Sequence, residues 1–228
     1  MNNYHVNFDL DFKRNKYKGL YIALEGIDGA GKTVQIENLL SHYQGKKREV
    51  LLATEPRRTG VIGRVINEIL QGRVKIPSAS LQYLMTADRI SEQQEINLPA
   101  LERGAIVFSH RCFWSSVPYG ILDQSGGRNY DTGNTIIVAQ SILSMYYQIT
   151  VPDVTFYLDV SPKVSLKRLS SMGTKLEYYE TLDKLTKVKK GYDWLMKKFP
   201  KEFVIVNGDR DPQEISEELI AKIDKLKK

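Results

Sequence analysis

One glycine-rich stretch constrains the fold of this chain more than any other feature. The stretch LEGIDGAGKT (24–33) matches the pattern G-x-x-x-x-G-K-[ST] through Gly26, Gly31, Lys32 and Thr33. Glycines reach backbone angles that a Cβ atom forbids, so successive N–H groups can curl around an anion. An apolar run (19–24) precedes the stretch, and a helical apolar pattern (33–43) follows it. A strand, a glycine loop and a helix in this order predict a phosphate-binding loop.

The polar residues of this loop have expected roles. Lys32 would reach the β- and γ-phosphates of a nucleotide, and the Thr33 hydroxyl would bind Mg²⁺. The N-terminus of the following helix adds a partial positive charge. The predicted nucleotide-binding residues are Gly26, Ile27, Asp28, Gly29, Ala30, Gly31, Lys32 and Thr33.

Composition excludes several classes of protein. The chain has 228 residues, of which 42% are hydrophobic, which suits one domain with a sizeable core. No apolar run approaches the roughly 20 residues that cross a bilayer. Residues 1–19 contain no apolar segment of signal-peptide length, and the single cysteine, Cys112, excludes an internal disulfide framework. We expect a cytoplasmic protein that does not contact membranes.

The positive charge does not by itself indicate nucleic-acid binding. The formal net charge is +6, and much of the excess lies in a lysine-rich C-terminal third, in segments such as KVKKGYDWLMKKFPK. The sequence has no evident basic strand interleaved with aromatic residues of the type that stacks bases. A surplus of positive charge also suits a protein whose substrates are polyanions. We therefore expect no nucleic-acid partner.

Five apolar runs have the length and composition of buried strands: 19–24, 49–54, 105–109, 154–160 and 202–208. Helical patterns lie around them, over 33–43, 60–72, 79–94, 131–149 and 211–226, and Pro162 can begin one more helix. Ser78 is expected to N-cap the helix over 79–94. Strands separated by helices predict a parallel sheet covered on both faces. The expected fold class is α/β, a three-layer sandwich with a five-stranded parallel sheet, and the glycine loop makes it one of the P-loop NTPase type.

The chain is expected to consist of an extension and one domain. Residues 1–18 are polar and carry four cationic residues between Lys13 and Lys18. We interpret them as a tail or an added edge segment outside the core fold. Residues 19–228 would form a single P-loop domain.

Charged side chains follow the predicted strands where a ligand is expected. In an open α/β sheet, ligands bind at the carboxyl ends of the strands. TEPRRTG (54–60) follows the second strand, HRCFWSSVPYG (110–120) follows the third, and TADRI (86–90) lies in the helix before it. Guanidinium groups bind phosphate in bidentate fashion. At these strand ends, anion clamps are expected at Arg57, Arg58 and Arg111.

Over residues 19–225, the chain resembles the thymidylate kinases, which belong to the P-loop nucleoside-monophosphate kinases. The segments that carry the resemblance are, in order, ALEGIDGAGKTVQIENL, TEPRRTGVIGRVINEIL, LMTADRISEQQEINLPALERGAIVFSHRCFWSSVPYG, VPDVTFYLDVSPKVSLKRL and KVKKGYDWLMKKFPKEFVIVNGDRDPQEISEEL. The resemblance implies a kinase that moves the γ-phosphate of ATP to dTMP with Mg²⁺, giving dTDP. It also implies a homodimer and a short lid at about residues 170–181.

The resemblance also implies roles for single residues. The implied catalytic residues are Lys32, Asp28 and Arg111. Arg111 would hold the acceptor phosphate, Asp28 would bind the sugar 3′-hydroxyl, and Arg89 would reach the pyrimidine. Ser115 or Ser116 would line the base pocket, Tyr119 and Tyr192 would pack at the deoxyribose, and residues 207–212 would lie near adenine. The implied acceptor site comprises Asp28, Glu55, Arg57, Met85, Arg89, Arg111, Ser115, Ser116, Tyr119 and Tyr192.

Departures from the family pattern cluster at the acceptor side. His110 stands where the pattern has aspartate, Met85 where it has a base-stacking phenylalanine, and Gly120 where it has glutamine. Thr54 replaces an arginine, Arg57 and Arg58 replace two glycines, and the predicted lid has Lys175 but no arginine. Three hypotheses stay open: a divergent thymidylate kinase, a related kinase with another nucleotide or nucleoside acceptor, and a weakly catalytic ATP-binding regulator.

Overall fold

The computed structural model describes residues 9, 11–57, 59–125, 133–171, 173 and 179–226. Four sequence predictions therefore lie partly or wholly outside the described residues. They concern Arg58 as an anion clamp, most of the extension at residues 1–18, the start of the helix over 131–149, and the lid at residues 170–181 with Lys175.

The strands form two parallel sheets. In chain order they are β1 (Lys13–Arg14), β2 (Leu20–Glu25), β3 (Val50–Thr54), β4 (Ile106–His110), β5 (Thr150–Val151), β6 (Val154–Asp159) and β7 (Phe203–Asn207). The main sheet has five strands in the order β3–β4–β2–β6–β7, all parallel. The predicted five-stranded parallel sheet is confirmed, and β2 lies at its centre with every residue buried.

Helices cover the sheet and connect its strands. In chain order they are α1 (Lys32–Gly45), α2 (Gly60–Leu70), α3 (Ser78–Glu92), α4 (Leu98–Arg103), α5 (Ser116–Ser125), α6 (Gly133–Ser144), α7 (Pro162–Ser171), α8 (Leu182–Lys198) and α9 (Pro212–Ile223). Side chains alternate along β2: Ile22 and Leu24 lie in the larger hydrophobic cluster, and Tyr21 lies in a smaller cluster with residues of α4. Both faces of the sheet are therefore packed, as expected for parallel strands.

The start of α3 differs from the prediction. Ser78 is the first helical residue, and the N-cap position belongs to Pro77, whose φ is −57° and ψ is 138°. The Pro77 carbonyl accepts a hydrogen bond from the Ser80 N–H at 2.9 Å. Proline fits this position because its ring fixes φ and it has no N–H to satisfy. The prediction of Ser78 as the N-cap is wrong by one residue.

The long helix that begins at α3 also continues further than predicted. After Glu92 the chain passes through a π-helical segment, Gln93–Asn97, and then directly into α4. Such a segment inserts an extra residue into a helix without ending it. The apolar pattern alone did not reveal it.

The helix predicted over 131–149 is shorter than expected. α6 ends at Ser144, and a turn follows it, with N–H groups of Met145 and Tyr146 bonding carbonyls three residues earlier. Bonds of this spacing tighten and close a helix end. Residues 131 and 132 lie outside the described part of the chain.

The described part of the extension packs against the domain. β1 pairs with β5, placing Lys13 opposite Thr150. The Phe12 ring lies 5.5 Å from Phe113 and 5.4 Å from Trp114, measured between ring centroids. Because an aromatic side chain buries a large apolar area, Phe12 anchors this segment to the core.

Candidate active site

The phosphate-binding loop connects β2 to α1, and its shape depends on glycine. Gly26 has φ +144°, and a Cβ there would lie 2.9 Å from the Leu158 carbonyl oxygen. Gly29 has φ +75°, and a Cβ there would lie 2.7 Å from the Ser165 carbonyl oxygen. Any other residue would combine an unfavourable φ with a backbone clash. The loop therefore keeps this backbone conformation only with glycine at these positions.

Lys32 begins α1, and its ammonium group is buried in the loop. Its Nζ donates to the carbonyl oxygens of Gly26 at 3.1 Å and Ile27 at 2.9 Å. Burial first, and then the neighbouring charge of Arg111, lower the pKa of Lys32 to about 7. A bound polyanion would reverse both effects, since it would replace lost hydration and offset the positive charge. A phosphate group bound at the loop would therefore stabilise the charged form of Lys32.

Arg111 follows β4 and lies beside the loop. Its backbone has φ +72°, an uncommon conformation for a residue with a side chain. Its guanidinium donates to the Asp28 carboxylate, to the Tyr119 hydroxyl at 2.9 Å and to the Gly26 carbonyl at 3.1 Å. Tyr119 in turn donates to Asp28 at 2.9 Å. The structure thus brings together the three side chains that the resemblance assigned to the phosphate and the sugar.

The charges of this cluster reinforce one another. Burial opposes ionisation of Asp28, but the charges of Arg111 and Lys32 outweigh it, so the pKa of this carboxyl lies below its usual range. The Arg111 charge also lies 5.0 Å from the centre of the Tyr119 ring. Asp28 is therefore ionised at neutral pH and can accept hydrogen bonds.

Glu25 is a buried carboxylate at a predicted strand end, and sequence reasoning gave it no role in the site. It ends β2, is fully buried, and accepts hydrogen bonds from the Cys112 N–H at 2.8 Å and from the Ser115 and Tyr192 hydroxyls, each at 2.7 Å. Tyr192 is also the acceptor of an Arg111 hydrogen bond at 3.2 Å. Because the Tyr192 ring is fully buried, its contribution to the site passes through Arg111 and Glu25.

The resemblance placed Tyr192 at the deoxyribose and Ser115 at the base, and the structure places both behind Arg111. A charged residue at the end of the apolar run 19–24 is the signal that could have indicated Glu25. A buried carboxylate with several donors holds its partners in fixed positions.

Arg89 on α3 lies in a second buried cluster. Its guanidinium donates to the Glu55 carboxylate, to the Ser116 hydroxyl at 3.1 Å and to the Tyr146 hydroxyl at 2.6 Å. Tyr146 also donates to Ser116 at 2.8 Å. Ser116 thus belongs with Arg89, in the region where the base was predicted, and sequence reasoning missed Tyr146.

Arg57 is engaged by acidic side chains. Its Nε donates to Asp88 at 2.9 Å and its Nη1 donates to Glu95 at 3.1 Å. Its backbone N–H also donates to Asp88 at 2.9 Å. These contacts tie the loop after β3 to α3. Binding of an anion by Arg57 stays a prediction.

Two acids near this cluster resist ionisation. Burial, against the opposing charge of Arg89, raises the pKa of Glu55 to about 7. Burial and then the charges of Glu55 and Asp88 raise the pKa of Glu92 to about 8. Within the described residues, one carboxylate oxygen of Glu55 and one of Glu92 are buried without a hydrogen-bond partner.

His110, the residue that departs from the family pattern, faces the phosphate loop. Its Nε2 lies 3.3 Å from the Thr33 hydroxyl oxygen. Burial, and then the charges of Lys32 and Arg111, lower the pKa of His110 to about 3. The imidazole is therefore neutral at physiological pH and adds no charge to the site.

The other predicted site segments lie along the same edge of the sheet. Met85 is half-buried on α3, one turn before Arg89. The turn at residues 207–212 lies beside the phosphate loop, since a Cβ on Gly208 would be 3.6 Å from the Ala30 carbonyl oxygen. Adenine binding there and base contact by Met85 stay predictions.

A glycine loop at the end of the central strand of a parallel sheet, with an arginine from the end of the neighbouring strand β4 beside it, defines a P-loop protein of the nucleotide kinase class. A family model described as thymidylate kinase matches residues 24–219. The chain is 31% identical to a thymidylate kinase from Chlorobium limicola, covering 90% of this chain and 94% of the relative. It is 33% identical to a probable thymidylate kinase from Pyrococcus horikoshii, covering 90% and 96%. The chain belongs to the thymidylate kinase family, and the resemblance found in the sequence is confirmed.

None of the described helices is both long and apolar enough to cross a membrane. The part of the chain that the structure describes holds no group of three or more His, Cys, Asp or Glu side chains that could bind a metal ion.

Proposed function

We propose that this protein transfers the γ-phosphate of ATP to dTMP, giving dTDP and ADP. The observation that carries the proposal is the cluster of Asp28, Arg111 and Tyr119 on the phosphate loop. Asp28 belongs to the loop itself, so the cluster joins a donor-phosphate site to an acceptor site without an intervening element. Membership of the thymidylate kinase family supports the choice of acceptor.

On the donor side, the loop backbone would bind the ATP phosphates and Lys32 would neutralise their charge. The ammonium would exchange its hydrogen bonds to the loop carbonyls for bonds to phosphate oxygens. Charge-assisted bonds of this kind are the stronger ones. Most of the catalysis of phosphoryl transfer comes from such positioning and charge stabilisation.

On the acceptor side, Arg111 would hold the dTMP phosphate and Asp28 would accept a hydrogen bond from the sugar 3′-hydroxyl. An oxygen of the acceptor phosphate would form a bond to the γ-phosphorus while the bond to the β–γ bridging oxygen breaks, and ADP would leave. The acceptor phosphate is already deprotonated at neutral pH, so no general base is required. The neutral His110 is compatible with this chemistry.

Mg²⁺ is the cation that the site would use. The described residues include no cluster of three or more His, Cys, Asp or Glu side chains that could bind a metal. A cation would therefore rely on the Thr33 hydroxyl, the nucleotide phosphates and water. That donor set suits Mg²⁺, which keeps several waters and binds few protein ligands. When bound, Mg²⁺ supplies neutralisation of the β- and γ-phosphate charge. His110 is a poor ligand for this hard cation.

The test is ADP release from ATP and Mg²⁺ in a coupled assay, with a panel of acceptors. The panel is dTMP, dUMP, UMP, dCMP, CMP, dGMP, dAMP and thymidine. Release with dTMP well above the others supports the proposal. Release with another acceptor means that Met85 and Gly120 have changed the base pocket, and it overturns dTMP as the substrate. ATP binding without release for any acceptor favours a non-catalytic regulator.

We further propose that the protein is a homodimer through α2, α3 and α6. Val61 on α2 is 73% exposed, Tyr83 on α3 is 67% exposed and Ile137 on α6 is 61% exposed. Exposed apolar patches mark interaction surfaces. α2 packs against α3, and α3 and α6 both pack against α5, so contacts link the three helices that carry these side chains.

Light scattering with size-exclusion chromatography tests the dimer. The double variant Val61→Lys with Tyr83→Lys is expected to run as a monomer, because two buried ammonium groups would oppose association. The matched control is Ile205→Lys, at an exposed apolar residue of the edge strand β7, which should leave the wild-type mass unchanged. A monomeric wild-type protein would contradict the proposal.

Cytoplasmic residence and the lack of a nucleic-acid partner stay predictions from the sequence, as does the closing of residues 170–181 as a lid.

A further inference from the structure

Gln82 is a buried side-chain amide whose oxygen has no hydrogen-bond partner in the described part of the chain, and it lies near the predicted acceptor site. It lies on α3, is 4% exposed, and its Oε1 is buried without a hydrogen-bond partner among the residues that the structure describes. A buried amide oxygen that accepts no hydrogen bond destabilises the folded protein. Such a group in a native structure requires an explanation, and a ligand that completes its bonding is one.

Gln82 lies on the same face of α3 as Arg89, the residue predicted to reach the base. Gln82 precedes Arg89 by seven residues, or about two helical turns, so both lie on the same face of α3. Arg89 bonds Ser116 at the start of α5, and Gln82 lies against Gly120, one turn further along α5. The amide therefore lies along the seam between α3 and α5, beyond the Arg89 cluster.

Gly120 provides the space for this amide. A Cβ on Gly120 would lie 3.2 Å from both Cδ and Nε2 of Gln82, and 2.4 Å from Cδ1 of Ile142. Contacts as short as these would displace the Gln82 side chain. The absence of a side chain at Gly120 and the presence of a glutamine at position 82 are therefore two parts of one arrangement.

We propose that the Gln82 amide binds the pyrimidine edge of the acceptor nucleotide. Thymine presents an N3–H donor beside carbonyl oxygens, and a terminal amide presents an acceptor oxygen beside an N–H donor. The pair can form two parallel hydrogen bonds, with Oε1 accepting from N3–H and Nε2 donating to a carbonyl. This inference rests on the proposed transfer to dTMP and adds a residue that selects the base.

The test compares dTMP with its N3-methyl derivative as acceptors. N3-methylation removes the donor that Oε1 would accept from. Wild-type protein should prefer dTMP in kcat/KM by about tenfold or more, because the methylated base leaves the amide oxygen unpaired. Gln82→Met keeps the side-chain volume but cannot form this hydrogen bond. In this variant the kcat/KM values for the two acceptors should differ by no more than about twofold. The KM for ATP should stay unchanged in this variant.

Gln93→Met is the matched control. Gln93 is also a buried glutamine of the same long helix, at 3% exposure, but both its amide groups are bonded to the Thr150 backbone, at 2.7 and 2.9 Å. This variant should lose thermal stability and keep the wild-type preference for dTMP over the N3-methyl derivative. The comparison separates base recognition from the effect of removing a buried amide.

Gly120→Ala is a second variant, for use if Gln82→Met does not fold. Its Cβ would meet the ends of two side chains that can move, and it should reduce the same preference by displacing the amide. A preference unchanged from wild type in the folded variant means that Gln82 bonds only water or protein, and the inference is overturned. Wild-type protein that phosphorylates neither acceptor overturns the proposed function as well, which is a distinct result.

Discussion

The donor and acceptor halves of this site lie at neighbouring strand ends, yet the chain builds them in different ways. The donor half is a backbone structure, in which positive φ angles at Gly26 and Gly29 shape the loop and Lys32 supplies the charge. The acceptor half is made of side chains that bind one another, centred on Arg111 and Arg89. A backbone site tolerates few residue types at its glycines. A side-chain site can be rebuilt from different residues, and the departures from the family pattern are found there.

Burial also shifts pKa values in opposite directions in the two halves. In the donor half, burial lowers the pKa of a base, Lys32, to about 7. In the acceptor half, burial raises the pKa values of two acids, Glu55 to about 7 and Glu92 to about 8. The donor half gains from a polyanion, whereas the acceptor half holds its acids in an uncharged or paired state. Four substitutions test this contrast.

The largest effect is expected in the donor half. Lys32→Met should lower kcat by about 10³-fold, because it removes the charge that stabilises the γ-phosphate during transfer. The measurement is the coupled assay with ATP and dTMP. Lys187→Met, at a partly exposed lysine of α8 paired with Asp183 one turn away, is the control and should keep wild-type turnover. Near-normal turnover in Lys32→Met would contradict the assigned mechanism.

Arg111→Ala should affect the acceptor more than the donor. It removes charged hydrogen bonds to Asp28 and Tyr119, so kcat/KM for dTMP should fall by about 10²-fold while the Kd for ATP changes little. Steady-state kinetics and ATP titration measure the two constants. Arg103→Ala, which removes an exposed ion pair with Glu49, is the control. If the acceptor constants do not change, Arg111 is not the clamp.

Glu92→Gln should change how stability depends on pH. The pKa of Glu92 is raised from 4.5 to about 8, so its ionisation destabilises the folded state progressively as the pH rises through this window. Glutamine does not ionise, and the Tm of the variant relative to wild type should rise by about 5 °C between pH 5 and pH 9. The exposed Glu102→Gln should give a constant difference across the same range. A constant difference for Glu92→Gln as well would show that Glu92 ionises freely.

His110→Asp should have the smallest effect, since His110 bears on the metal only through Thr33. An added carboxylate beside the Thr33 hydroxyl would attract Mg²⁺, so the Mg²⁺ concentration that gives half-maximal activity should fall by about threefold. Mg²⁺ titration of the ATP-dependent activity measures this value. Identical titrations for the variant and the wild type would mean that position 110 does not bear on the metal.

The sequence was sufficient for features that depend on local rules. The five main strands follow from apolar runs, and the loop follows from its glycines, because both signals lie within a few adjacent residues. It was insufficient where partners come from distant segments. No local pattern links Arg89 to Tyr146, or Arg57 to Glu95, since these contacts arise only when distant segments of the chain pack together. Glu25 is a further case, because an acid after an apolar strand marks a candidate residue but does not show that Cys112, Ser115 and Tyr192 bind it.

Local rules also failed in two helices. Serine is a favoured N-cap, but Pro77 took that position before Ser78. The apolar pattern could not show the π-helical segment, because one extra residue in a turn shifts the pattern without ending it.

That π-helical segment, Gln93–Asn97, sets the rotational phase of the helix that follows. Upstream, Arg89 faces α5; downstream, Ala100 and Leu101 lie in the smaller cluster with Tyr21 of the central strand. Each residue turns an α-helix by about 100°, so deleting one residue from this segment would rotate α4 by about that angle and turn Leu101 away from the sheet. An insertion or deletion in this segment would therefore change which side chains of α4 face the sheet, even though every residue kept a helical conformation.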